Sequence, residues 1–133
     1  MKNILKLTII TPEKEFYSGE VLDLVTENEY GRIGFLPEHI AMVTVLEPSV
    51  TTFTEKNGTK RKAFTSTGIL SIKDDEINLM CDASEWPEDI DINRAEEAKK
   101  RAELKLKTKT GVNMSRTEVS LMRSLMRIKA RKI

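Results

Sequence analysis

All seven aromatic residues of this 133-residue chain lie before position 87, and the last 46 residues contain none. That split limits the fold more than any single motif. A segment without aromatics cannot build a thick core of its own, so the tail must lean on something else. Charge divides at the same place. Residues 1–87 carry 9 Lys+Arg against 14 Asp+Glu, and residues 88–133 carry 13 against 7. An overall charge of +1 therefore conceals an acidic body and a basic appendage. The expected boundary is Pro87, with one unit over 1–87 and a second over 88–133.

The first unit reads as strands. Leu5, Leu7 and Ile9 alternate with Lys6 and Thr8, the period of a half-buried strand. Val21–Thr26 reads as a second long strand. Short apolar runs follow at Arg32–Phe35, Met42–Leu46, Val50–Thr54, Arg61–Thr67, Ile69–Ile72 and Ile77–Cys81. Turn residues separate them, and Asn57-Gly58 is a strong hairpin signal because both residues tolerate positive φ. Many short strands with a turn every 8–12 residues predict an all-β sandwich or barrel.

The second unit reads as two helices. Asp89, Asp91 and Asn93 are candidate caps for the first; Asn93 with Glu96 makes a capping box, and Asp91 suits a start one turn earlier. Ala95, Ala98 and Ala102 share one face with Leu106 beside them, and Arg94 and Arg101 lie on the flank of that stripe. Gly111 is expected to stop the helix. Ser115-Arg-Thr-Glu118 is a second capping box. Leu121, Met122, Leu125, Met126 and Ile128 form a broad apolar face behind it, with Arg116, Arg123 and Arg127 on the other side. A short connection predicts an antiparallel hairpin.

Several chemistries are disfavoured. His39 is the single histidine, so no zinc site can be built around histidines, and a loop histidine satisfying a backbone carbonyl is the plainer reading. Cys81 sits in a strand-like run and reads as a buried, inert thiol. Asp74-Asp75-Glu76 reads as a solvated turn, since oxygen ligands do not recur at a binding-loop spacing. There is no Gly-x4-Gly-Lys-Ser/Thr phosphate loop, so no metal or cofactor is called for and no enzyme is expected. The basic helices lack aromatics on which bases would stack, which disfavours nucleic acid. No run of 18 apolar residues exists, so the chain is expected to be soluble and to meet a membrane only through a partner.

The arginines remain. Glu96–Lys100 and Glu97–Arg101 are expected i,i+4 pairs, worth a few tenths of a kcal/mol each. Two exposed arginines on one helix need no explanation beyond solvation. Four arginines on two facing helices, with Asp91 at a helix start, repel one another unless an anion joins them, and Arg holds phosphate bidentately. Two readings of that cluster stand side by side: part of a larger assembly, or a free-standing nucleotide sensor.

The chain as a whole resembles the epsilon subunits of bacterial-type F-type rotary ATP synthases. The matching segments are ITPEKEFYSGEV, GRIGFLPEHIAMVTVLEP, FTSTGILSIKDDEINLMCD and IDINRA, from Ile90 to Ala95. The last resembles the family's ATP-binding motif. Ala41, Ser49 and Thr67 depart from the family pattern without touching its framework. The resemblance implies a ten-stranded β-sandwich followed by an antiparallel two-helix hairpin. It implies a non-catalytic central-stalk subunit at the cytoplasmic face of the bacterial cell membrane. The expected partners are the gamma subunit, the c-ring, and the beta and alpha subunits of the catalytic head. By position it assigns Glu85, Ile90, Asp91, Arg94, Ala95, Arg101, Arg123 and Arg127 to ATP, a regulatory ligand and not a required cofactor. It assigns Arg32 and His39 to rotor and c-ring contact. It assigns Arg116, Arg123 and Arg127 to an inhibitory helix that opposes ATP hydrolysis when extended.

Overall fold

A computed structural model describes residues 3–108 and 114–132. Nine strands come first among the described residues: β1 Leu5–Ile10, β2 Glu15–Asn28, β3 Gly31–Phe35, β4 Met42–Leu46, β5 Ser49–Glu55, β6 Lys60–Thr65, β7 Gly68–Lys73, β8 Glu76–Cys81 and β9 Ser84–Glu85. A 3₁₀ turn over Pro87–Asp89 leads to helix α1, Ile92–Thr108, and then α2, Met114–Lys132. The architecture is the expected sandwich followed by two helices, with nine strands described where ten were expected.

The long strand β2 makes two layers from one sheet. Its first half pairs antiparallel with β1, from Leu5 opposite Val21 to Ile10 opposite Glu15. Its second half pairs with β3 and β5. The sheet therefore turns over at β2, in the order β1-β8-β7-β4-β2-β5-β6-β9. Leu5, Leu7, Ile9, Leu24, Phe35, Phe53, Leu70, Ile72, Ile77 and Leu79 fill the space between the layers. These are the inward positions of strands with period 2.

The core also holds hydroxyls. Thr26, Ser49, Thr51 and Thr65 are fully buried. Thr51 Oγ1 lies 2.8 Å from Thr26 Oγ1 and 2.7 Å from Thr65 Oγ1, and Ser49 Oγ lies 3.2 Å from Thr26 Oγ1. Each hydroxyl is both donor and acceptor, so the chain satisfies its members without water. At the β7 start Gly68 admits no side chain, because a Cβ there would stand 2.0 Å from the Met80 carbonyl oxygen.

Trp86 closes the aromatic end. It stacks on Phe16 at 4.5 Å, meets Tyr17 and Phe53 edge-on or tilted, and receives the Arg61 guanidinium at 4.0 Å from its ring centre. All four partners belong to the sandwich. Cys81 is buried, and burial pushes its thiol above the ordinary range, in keeping with an inert group. The Asp74-Asp75 turn uses left-handed backbone at both residues; Asp75 accepts the Glu38 amide at 2.7 Å, and its carbonyl accepts the Lys6 amide.

The hairpin departs from expectation at the start of α2 and on its buried face. Gly111 lies outside the described residues. Helix α2 begins at Met114, one residue before the Ser115 expected as its cap, a difference usual at helix ends. Its buried residues are Thr117, Ser124, Ile128 and Ala130, whereas Met122 and Leu125 are 41% and 36% exposed. The apolar face is thus narrower than its composition implied. Small residues let the two helices approach, and the buried Ser124 hydroxyl donates back to the Ser120 carbonyl at 3.0 Å. Ala130 and Met126 pack on Val50 and Phe64, on the outer side of β5 and β6.

Tyr17 offers a test of the aromatic end. Its hydroxyl donates to Glu55 Oε2 at 2.8 Å, and burial followed by this acid pushes its pKa up to about 12. The folded state keeps the proton after the unfolded chain releases it near the ordinary 10.0. Stability from this group is therefore complete below that value and falls as pH rises toward about 12. Chemical denaturation across that window should show a steeper loss for the wild type than for Tyr17→Phe.

Candidate functional site

Three pieces of backbone enclose a cavity between sandwich and hairpin. The first is the start of α1. Asp91 Oδ1 accepts the Arg94 amide at 3.1 Å, and the Asp91 carbonyl accepts the Ala95 amide at 3.0 Å. Asp91 is thus the cap; Asp89 falls in the 3₁₀ turn and Asn93 inside the helix. That cap sets Arg94 and, seven residues on, Arg101 along one flank. The second piece is the C-terminal half of α2, which brings Arg127. The third is the sandwich itself, through Asp82 to Glu85 and the turn carrying Thr11, Glu13 and Lys14. The space measures about 490 Å³.

Glu85, Asp91, Arg94, Ala95, Arg101 and Arg127 all line it. These are six of the eight positions that the resemblance assigned to ATP, drawn from β9, α1 and α2. Ile90 and Arg123 are not among the lining residues. Ile90 is 4% exposed and packs with Val50, Phe64 and Ala130. Arg123 is half-buried, and its Nε has no hydrogen-bond partner among the described residues. Arg116 is exposed in the first turn of α2. The wall formed by Thr11, Glu13, Lys14 and Asp82 was not expected. No local pattern marks it, since its members come from two turns brought together by strand pairing.

The charges in the cavity are unevenly matched. Arg127 Nε donates to Glu85 Oε1 at 2.5 Å, and its guanidinium lies 4.5 Å over the centre of the Phe64 ring. Arg94 and Arg101 have no ion pair among the described residues. The expected Glu96–Lys100 and Glu97–Arg101 pairs do not close, because exposed helix pairs gain little over hydration. Glu13, Asp82 and Asp89 also line the space. The cavity is therefore bipolar. Guanidiniums suit a ligand with several anionic oxygens, and carboxylates suit one with N–H donors.

Arg32 and His39 stand elsewhere. Arg32 pairs with Glu27 at 2.9 Å beside the fully exposed tip residue Tyr30. His39 Nδ1 donates to the Ile40 carbonyl at 2.7 Å, and its ring lies 4.9 Å from that of Phe35. The sandwich surface also carries an apolar row. Val45, Ile69, Met80 and Ile10 are cross-strand neighbours on β4, β7, β8 and β1. They are 55%, 45%, 48% and 38% exposed, and Val43 beside them is 70% exposed. The strip leaves a row of apolar side chains in contact with solvent.

The beta-sandwich domain of the ATP synthase Delta/Epsilon chain matches residues 4–87, and the long alpha-helix domain of the same chain matches residues 88–132. The chain belongs to the ATP synthase Delta/Epsilon family. It is 50% identical over 128 residues to the ATP synthase epsilon chain of Clostridium kluyveri, covering 96% of this chain and 97% of that one. It is 46% identical over 133 residues to the ATP synthase epsilon chain of Clostridium botulinum strain Okra, covering both in full. Among solved structures, a chain of the Euglena gracilis mitochondrial ATP synthase superposes with a TM-score of 0.81 at 18% identity, covering 94% of this chain and 79% of that one. At that identity the likeness is one of fold. Among the described residues, no helix of this Delta/Epsilon chain is long and apolar enough to cross a membrane.

The Arg127 contacts set how firmly the helices sit on the sandwich. Arg127→Ala should loosen α2 by about 1–3 kcal/mol, the worth of a charge-assisted hydrogen bond and a partly desolvated cation–π contact. Hydrogen exchange should then quicken in β5 and β6, beneath Val50 and Phe64, while β1 and β8 keep their protection.

Proposed function

We propose that this chain is the epsilon subunit of an F-type ATP synthase. In this reading it is a non-catalytic part of the central stalk that links gamma to the c-ring. Its helices restrain ATP hydrolysis by the catalytic head, and ATP binding to the folded hairpin modulates them. Coupling of proton or sodium flow to ATP synthesis follows from that position. The membrane is met through the c-ring, at the cytoplasmic face.

The observation that carries the regulatory half is the cavity with two unpaired guanidiniums and a third held by Glu85. The base would lie toward Asp91 and its backbone, and the phosphates toward Arg94, Arg101 and Arg127. Arg123, outside the cavity lining, would reach the phosphates only with a shift of α2. Ligand that binds the docked form alone favours it by RT ln(1 + [L]/Kd), about 2.7 kcal/mol at a hundredfold excess over Kd. In the extended state Arg116, Arg123 and Arg127 would meet acidic residues of the beta subunits instead. The apolar row on β4, β7, β8 and β1 supports the assembly half over a free-standing sensor, which has no use for a strip of that kind. Arg32 and His39 would contribute at the rotor and c-ring contacts.

Titration calorimetry of the full chain tests the first half. Arg94→Ala and Arg101→Ala should each weaken ATP about tenfold or more, given about 1.5–3 kcal/mol per charged contact, with no release of ADP from either form. Equal affinity in all three proteins would remove the site. The second half is tested by co-purification. Ile69→Asp with Met80→Asp should abolish recovery with gamma while the isolated variant melts cooperatively. Undiminished recovery would move the docking surface elsewhere.

A further inference from the structure

We infer that Lys14, on the turn between β1 and β2, is a further anion-holding residue of the cavity, so that a nucleotide polyphosphate is gripped by the sandwich and the hairpin together. This rests on the nucleotide reading above and adds to it a residue from the other domain. Thr11, Glu13 and Lys14 line the same cavity as the α1 arginines Arg94 and Arg101, from the sandwich side. The turn that presents them is braced. The Thr11 amide donates to the Lys14 carbonyl at 2.9 Å, the Thr11 hydroxyl donates to the same carbonyl at 3.2 Å, and the Lys14 amide donates to Thr11 Oγ1 at 3.3 Å. The backbone of Lys14 is thus fixed, and its exposed side chain has no ion pair among the described residues.

Placing a cation on the sandwich opposite cations on the hairpin has two opposite effects. With the cavity empty, Lys14 repels Arg94 and Arg101 and offsets part of the attraction that Glu13, Asp82 and Glu85 of the sandwich exert on the hairpin arginines. With a polyanion inside, Lys14 and the hairpin arginines are drawn to the same ligand. Occupancy therefore changes the sign of the Lys14 contribution to docking. A site confined to the hairpin would stabilise the helix pair without tying it to the sandwich.

The test uses the full chain and two readouts: calorimetric titration with ATP and with adenosine, and hydrogen exchange of β5 and β6 without ligand. Lys14→Ala should weaken ATP about three- to tenfold, the scale of one solvent-screened charged contact, and Lys14→Glu should weaken it more. Adenosine should be unaffected. Without ligand, Lys14→Glu should slow exchange in β5 and β6, because repulsion across the empty cavity becomes attraction. Lys14→Arg should behave as wild type in both readouts, and the ATP difference should shrink as salt rises. If Arg101→Ala loses ATP while Lys14→Ala and Lys14→Glu bind it as wild type does, Lys14 has no part and the nucleotide reading stands. If Arg101→Ala also binds normally, or the wild type takes no ATP, the nucleotide reading fails and this inference with it.

Discussion

Arg127 ties the helices of this molecule to its sandwich. Its guanidinium is shared between an acid of β9 and the ring of Phe64 on β6. Around it Ala130 and Met126 cover Val50 and Phe64, and Ile90 completes the same cluster. The contact is small and partly polar, unlike the dense interior between the sheet layers. A surface of that kind can hold a domain in place and let it go, which the proposed ligand-controlled hairpin would require. Because the same arginine lines the cavity, docking and the proposed ligand binding would draw on one charge.

The sandwich is built on the opposite principle. One strand, β2, serves both layers, so the layers cannot separate without breaking a continuous backbone ladder. The buried hydroxyl chain through Thr26, Thr51 and Thr65 adds directional bonds where aliphatic packing would tolerate sliding. Gly68 lets β7 lie against the β8 backbone at a distance no side chain would permit. A rigid body of this construction could carry the proposed docking strip on one layer and the hairpin on the other.

Much of this was legible in the sequence, and the unreadable parts share a cause. Alternation located β1, and short apolar runs between turn residues located β4, β7 and β8, each of which has one face in the core. Asn57-Gly58 marked the β5–β6 turn through its backbone preference, and Gly58 does adopt φ 93°. The first half of β2 escaped because Ser18, Gly19 and Glu20 have no apolar period; pairing with β1 holds them. Strand β9 is too short for any period. On α2, composition put Met122 and Leu125 inside, whereas the helix buries Thr117 and Ser124, which suit close approach to the alanines of α1. The arginine side of the cavity could be read from helical spacing and the resemblance together. Its sandwich side could not, since Lys14 and Glu85 are 71 residues apart and meet only through the fold.

Trp86 has a mechanical consequence. Its four ring partners are all on the sandwich, so the chain is clamped up to that residue whatever the helices do. The next three residues form the 3₁₀ turn, and Ile90 already belongs to the detachable cluster. If the hairpin swings as proposed, its fulcrum lies between Trp86 and Ile90. At 1.5 Å per residue, the 17 residues of α1 make a lever about 25 Å long, and α1 with the 19 of α2 laid end to end would reach about 54 Å. The stroke of the element is thus set by two helix lengths and one tryptophan, and lengthening α1 by a turn would move its far end by about 5 Å without altering the fulcrum.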